Sequence, residues 1–276
     1  MDEKTICFIG GGNMARSLIG GLIADGYPAG RLRAADPAAD QREQLERLFG
    51  IRTFADNEAA VEGAEVWVLA VKPQVMHEVA ASLAKAAQGA ARPLVISIAA
   101  GIRSADLDRW LGGGAAIVRC MPNTPALVQS GATALYATPA VDENGRELAE
   151  SILRAVGLTL WLDDEDLMDA VTALSGSGPA YFFLVMEALE AAGKHLGLPA
   201  ESARLLTLQT AFGAARMALE SDEGPEVLRA RVTSPGGTTE RALQVLEAGD
   251  LRGLMQEALS AARDRARELA TELGED

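Results

Sequence analysis

Short apolar runs alternate with helix-periodic stretches from the N-terminus to about residue 162, and then the runs stop. Thr5-Ile-Cys-Phe-Ile9 opens the series as a β-rich run, followed by Met14, Leu18, Leu22 and Ile23 on one helix face. Further strands are predicted at 32–35, 51–54, 66–71, 94–98, 115–120, 133–136 and 158–162, with a helix over 143–156. Val66-Trp-Val-Leu-Ala-Val71 is apolar without alternation, the pattern of a parallel strand covered on both faces. Such a β/α alternation predicts an α/β doubly wound sheet over residues 1–162. Beyond Asp163-Asp-Glu-Asp166 every periodic stretch is helical, with helices predicted over 167–174, up to His195, over 202–219 and from Asp250 onward. Residues 163–276 therefore read as a second, all-α domain.

The helical half is unusually apolar. Tyr181, Phe182, Phe183, Leu184, Val185, Met186 and Leu189 wrap most of one helix, and 202–219 is alanine-rich. A helix apolar on several sides is buried on several sides. This favours an intertwined homodimer, the alternative being a monomeric bundle packed on the first domain. Composition is that of an ordinary globular chain, with 49% hydrophobic and 23% charged residues. The net charge of −14 changes the picture more. With no basic run to offset it, nucleic acid and anionic membranes are excluded as partners, and an anionic ligand must be held by local groups. No apolar run approaches the ~20 residues of a membrane span, and no signal peptide is read. Cys7 and Cys120 lie in strand patterns without zinc spacing, as buried free thiols of a cytoplasmic protein. His77 and His195 are the only histidines, so no metal site is expected.

The first apolar run opens directly into Gly10-Gly-Gly12-Asn-Met-Ala15. Strand, Gly-x-Gly-x-x-Ala turn and helix in that order form the Rossmann-type dinucleotide fingerprint. Its glycines permit the tight turn and close approach to a pyrophosphate, and Ala15 permits close helix–strand packing. Asp36 ends the next strand, 21 residues after Ala15, where an acid accepts a ribose 2′-hydroxyl and repels a 2′-phosphate. Arg33 and Arg42 are close enough in sequence to reach such a phosphate, and Asp36-Pro37 also reads as a helix N-cap. Lys72-Pro-Gln follows a buried strand at the end where open α/β sheets bind ligands. Lys72 reads equally as a solvated loop lysine. Met121-Pro-Asn-Thr-Pro125 is a stiff loop that either sets Asn123 against a carboxamide or merely connects two strands.

A second loop carries its own chemistry. Val232-Thr-Ser-Pro-Gly-Gly-Thr-Thr239 precedes a helical pattern through Ala242, Leu243, Val245 and Leu246. The free N–H groups at a helix start suit an anion, and a carboxylate there gains roughly 0.3–2 kcal/mol from the dipole. The alternative is a capped turn without a ligand. Alcohol oxidation needs a histidine or lysine base, and neither histidine lies in a cleft motif. Reduction of a C=N bond asks less, because a protonated imine is already electrophilic and a hydroxyl donor suffices.

Over its whole length the chain resembles pyrroline-5-carboxylate reductase. The resemblance is carried by Phe8–Ala15, Ala70-Val-Lys-Pro73, Ser97–Gly101, Met121–Pro125, Ser175-Gly-Ser-Gly-Pro-Ala-Tyr181 and Val232–Thr239. It implies NAD(P)H-dependent reduction of L-1-pyrroline-5-carboxylate to L-proline, a dimer through interleaved C-terminal helices, and a ring of such dimers. It implies that Val232, Ser234, Gly237, Thr238 and Thr239 bind the substrate, with Thr239 at the ring nitrogen as the catalytic donor. It also implies cofactor contacts from Gly10, Gly11, Gly12, Asn13, Met14, Asn57, Ala70, Lys72, Ile98 and Ala100; Ile9, Val71 and Pro73 beside them, and Asp36 from its place at the strand end, complete the expected cofactor set. Members that favour NADPH commonly carry a small polar residue where Asp36 stands, so the expected cofactor is NADPH with NADH use possible. A dehydrogenase or imine reductase for another small acid, and a nucleotide sensor without turnover, are the remaining alternatives.

Overall fold

The computed structural model describes residues 4–89 and 92–274. Strands and helices follow one another as β1 (Ile6–Ile9), α1 (Asn13–Ala24), β2 (Leu32–Ala35), α2 (Ala39–Phe49), β3 (Arg52–Phe54), α3 (Asn57–Val61), β4 (Val66–Leu69), α4 (Met76–Ala87), β5 (Leu94–Ser97), α5 (Ser104–Trp110) and β6 (Ala116–Met121). Then come β7 (Gly131–Ala137), α6 (Glu143–Arg154) and β8 (Gly157–Trp161). The remaining helices are α7 (Met168–Val171), α8 (Gly178–His195), α9 (Ala200–Glu220), α10 (Pro225–Arg231), α11 (Thr238–Ala248) and α12 (Leu251–Gly274).

The eight strands form one sheet in the order β3-β2-β1-β4-β5-β6-β7-β8. All neighbours are parallel except β6 and β7. The exception has a local cause. Residues 122–130 hold only a 3-10 turn over Thr124–Val128, too short for the crossover that a parallel pair requires. Order reverses at β1, which pairs with both β2 and β4, so the switch point lies there. Alternate strand residues feed two cores. Ile6, Phe8, Val68 and Ile96 join Leu18 and Leu22 of α1 on one face. Cys7, Ile9, Trp67 and Val95 join Leu83 and Leu107 on the other.

The chain divides into two compact units, Met1–Ser177 with Ala262–Asp276, and Gly178–Ala261. The strand signal ends at 162, where the sequence put the domain boundary, but the sheet unit takes more chain than that. Glu165 pairs with buried Arg119 at 2.9 Å, and the Asn123 amide donates to the Ser175 carbonyl at 3.2 Å. The end of α12 joins the same unit through buried Ala266 and Ala270. The helix expected over 167–174 is present as a continuous helical run that changes pitch: a 3-10 turn at Glu165–Leu167, one turn of α7, and a π-helical segment at Thr172–Gly176. The small residues there admit close approach, since a Cβ on Gly176 would come against the Met121 side chain. α10 carries no apolar periodicity that marks it in the sequence; Pro225 at its first turn is its one start signal.

The second unit consists of α8 to α11 and the first turns of α12. Its helices expose Phe182 (68%), Phe183 (63%), Leu205 and Phe212. Among the described residues no helix is long and apolar enough to cross a membrane.

Both cysteines are buried, and desolvation pushes the Cys7 thiol up to about 12 and the Cys120 thiol higher still. The native protein is therefore expected to leave both thiols unmodified by a disulfide-exchange reagent at pH 8, and the denatured chain to titrate two. Rapid modification of the native protein would show that the sheet opens at β1 or β6.

Candidate active site

The glycine turn is built by a close approach that only glycine permits. Gly10 has φ +99°, and a Cβ there would lie 2.7 Å from the Ala70 carbonyl oxygen. Its N–H donates to the Ala35 carbonyl at 2.8 Å, and the Ala70 N–H donates to the Ile9 carbonyl at 2.8 Å. The turn thus sits at the carboxyl ends of β1, β2 and β4, the place where open α/β sheets leave a crevice. α1 starts at Asn13 with Gly12 as N-cap and no side chain capping it. A Cβ on Gly12 would meet nothing within 4 Å, so the approach to the first helical N–H groups is clear. These features fit the pyrophosphate of a dinucleotide.

Asp36 enters the same turn. Its Oδ2 accepts the Gly11 N–H at 2.8 Å and its Oδ1 accepts the Ala38 N–H at 2.9 Å. Ala38, not Asp36, is the N-cap residue of α2, so the capping alternative is corrected. The reason is the Gly11 N–H, which draws the carboxylate toward the glycine turn. Arg33 donates to the Glu62 carbonyl at 2.7 Å, and Arg42 to the Asp36 carbonyl at 2.8 Å. Both guanidiniums are thereby tied to backbone oxygens.

The other residues of the expected cofactor set lie around the same sheet end. Ala70 and Val71 are half-buried just beyond β4, and Lys72 is exposed before the turn at Pro73–Val75. Among the described residues the Lys72 ammonium has no ion-pair partner, which keeps it available. Asn57 is the first residue of α3, whose N-cap is Asp56; the Asp56 carboxylate accepts the Ala59 N–H at 2.8 Å. Ile98 and Ala100 are half-buried beyond β5, flanking buried Ala99. Asn123 is not free for a ligand carboxamide. Its amide donates to Ser175, and its oxygen accepts the Ala132 N–H at 2.9 Å, so it braces the loop. A cavity of about 980 Å³ opens at the opposite end of the sheet, lined by Lys4, Glu65, Trp67 and Leu148 among others. None of the motif residues borders it.

In the second unit, Val232–Gly237 runs into α11 with Val232, Ser234, Pro235 and Gly236 exposed and Thr233 and Gly237 half-buried. Gly237 is the N-cap with no side-chain cap, and its own N–H donates to the Ser234 carbonyl at 3.0 Å. Thr238 and Thr239 occupy the first two helical positions. Among the described residues the hydroxyls of Ser234, Thr238 and Thr239 have no hydrogen-bond partner. Glu240 escaped the sequence reading. Its Oε2 accepts the Gly236 N–H at 2.8 Å, closing the turn in which Gly236 has φ +70°. The signal was an acid at the third helical position, as in a capping box.

Two family models match the chain. One, described as pyrroline-5-carboxylate reductase dimerisation, covers residues 165–269. The other, described as NADP oxidoreductase coenzyme F420-dependent, covers residues 5–101. A pyrroline-5-carboxylate reductase of Pseudomonas aeruginosa is 53% identical over 275 residues, covering 100% of both chains. The chain belongs to the pyrroline-5-carboxylate reductase family. A solved pyrroline-5-carboxylate reductase from Coxiella burnetii is 49% identical with a TM-score of 0.93, covering 97% of this chain and 99% of that one. The pyrroline carboxylate reductase of Plasmodium falciparum, solved with NADP bound, is 28% identical with a TM-score of 0.86, covering 98% and 99%. The glycine turn and the Thr233–Thr239 loop of this chain fall in different compact units.

Gly10→Ala is expected to lower affinity for NADH by about tenfold or more, because backbone strain and the Ala70 contact act together. A fluorescence titration checks this, and an unchanged dissociation constant would remove the turn from the binding site.

Proposed function

We propose that this chain reduces L-1-pyrroline-5-carboxylate to L-proline with NADPH or NADH, the last step of proline biosynthesis. The full-length likeness to reductases of that name carries the reading. The Thr233–Thr239 loop at the start of α11 gives it a chemical basis. The substrate carboxylate is held at that helix start by Ser234, Gly237 and Thr238, with Val232 beside them, where the dipole and free donors favour an anion. The dinucleotide is held by Ile9–Met14, Asp36, Asn57, Ala70–Pro73, Ile98 and Ala100, and supplies the hydride.

The reaction balances simply. Hydride adds to C5 of the neutral imine, the C=N π pair moves to nitrogen, and that nitrogen takes one proton from the Thr239 hydroxyl, which solvent water replaces. Thr239 donates to the nitrogen lone pair and orients the ring; among the described residues its hydroxyl has no partner to compete. No general base is required, in keeping with the absence of a histidine from either loop. A hydroxyacid dehydrogenase would need such a base.

The protein works as a homodimer, with further association into a ring of dimers. The dimerisation match over 165–269 and the exposed aromatic faces of α8 and α9 support the dimer. Its place is the cytoplasm, a reading supported by two unpaired thiols and no membrane-length apolar helix among the described residues.

Oxidation of NADPH and of NADH with pyrroline-5-carboxylate, followed to proline, tests the reaction; tight cofactor binding without turnover would overturn it. Thr239→Ala is expected to lose roughly 10²–10⁴ in kcat. A loss below about threefold, on the threshold set by a positioned donor, would take Thr239 out of the mechanism. Asp36→Ser removes the charge facing a 2′-phosphate. It is expected to raise the NADPH-to-NADH ratio of kcat/KM by about tenfold. An unchanged ratio would assign cofactor choice elsewhere.

A further inference from the structure

The loop between β5 and α5 carries Ile98 and Ala100, and its buried Ala99 and Ile102 seat it on the core with Trp67 and Leu107. Upstream, the Ile98 N–H donates to the Leu69 carbonyl at 3.2 Å. A further support comes from the far end of the chain. Gly101 is buried at φ +74°, and a Cβ on it would lie 3.2 Å from Leu273 Cδ1 and 3.7 Å from Leu269 Cβ. The last turns of α12 therefore lie directly against the loop, with Ala266 and Ala270 buried beneath them and Leu273 packed on the core. The Arg109 guanidinium of α5 donates to the Gly274 carbonyl at 2.7 Å and closes the end of α12.

A second set of supports is ionic. Glu165 accepts the Ser104 N–H at 2.8 Å and the Ser104 hydroxyl at 2.5 Å, and pairs with Arg119 at 2.9 Å. Arg103 meets Asp166 at 3.0 Å. Asp169 is only 3% exposed, and its Oδ2 lies 4.0 Å from the Arg103 guanidinium and 3.7 Å from that of Arg267 on α12. A buried carboxylate requires such cations, since losing one leaves a desolvated charge under-compensated. Asp169 thus ties the loop residue Arg103 and the helix residue Arg267 to one charge.

We infer that the end of α12, through Leu273 and the Arg267–Asp169–Arg103 contact, is the positioning element for the Ile98–Gly101 loop and sets dinucleotide affinity. Arg267, Asp169 and Leu273 act through the loop and are positioning residues. The inference rests on the reading above that Ile98 and Ala100 contact the cofactor. Loosening the backing shifts the loop at the sheet's carboxyl end, where small misplacements cost binding. The Thr233–Thr239 loop belongs to the other compact unit.

The test uses full-length Arg267→Ala, Arg267→Lys and Leu273→Ala, with Ala100→Leu as a control on the loop itself. For each, dinucleotide dissociation constants, KM for NADPH and for pyrroline-5-carboxylate, kcat and melting temperature are measured. The expected result for Arg267→Ala and Leu273→Ala is a rise of about tenfold in dinucleotide KM and dissociation constant. KM for the imine and kcat stay within about twofold, and Arg267→Lys recovers most of the affinity. Dinucleotide affinity unchanged in both variants, while Ala100→Leu loses it, overturns the inference and leaves the cofactor reading intact. Normal binding by Ala100→Leu overturns the cofactor reading at this loop and the inference with it. A parallel rise of both KM values, with a fall in kcat and melting temperature, reduces the contact to fold stability and also overturns the inference.

Discussion

Gly10 passes so close to the Ala70 carbonyl that any side chain there would collide with backbone. Much of the first unit follows from that approach. It lets β1 pair with β2 and β4 along its length and turn into α1 within three residues. The helix then begins beside the turn with its first N–H groups open at Gly12. The same tight path brings the Gly11 N–H within reach of the Asp36 carboxylate. A single backbone constraint therefore orients a helix dipole, an anion-accepting turn and a carboxylate toward one edge of the sheet.

Charge burial performs the complementary task away from the switch point. Arg119 lies on a central strand with 4% exposure and would be costly alone. Glu165 compensates it and at the same time caps the start of α5 through Ser104. Losing the half-buried Glu165 would leave the buried Arg119 charge uncompensated, so the chain after β8 is fastened to the sheet. This is why residues 163–177 belong with the strands although they carry no strand. Asp169 extends the same logic to α12, whose last turns return to the sheet unit after the chain has built the other one.

The helical unit has the opposite character. Its glycine-led loop is polar and open, whereas α8 and α9 present Phe182, Phe183, Leu205 and Phe212 to their surroundings. Apolar exposure on that scale marks a surface meant to be covered. The periodicity of these helices is correspondingly blurred, because a helix contacted on several sides has no polar face to define its phase.

Local chemistry made a large part of this protein legible in the sequence. Gly10, Gly12 and Ala15 at their spacing require a strand–turn–helix, since only small residues allow the backbone contacts involved. Continuous apolar runs identify parallel strands, and Ser234–Thr239 announces a helix start with free donors. The sequence left open whatever depends on partners distant along the chain. It did not decide that Asp36 would turn to Gly11 instead of capping α2, or that Asn123 would be consumed by Ser175 and Ala132. Nor did it mark the antiparallel β7, the π-helical pitch after β8, or the return of α12 to Gly101. Propensity and spacing act over a few residues. Hydrogen-bond satisfaction, charge compensation and close packing are resolved only when segments far apart in the chain meet.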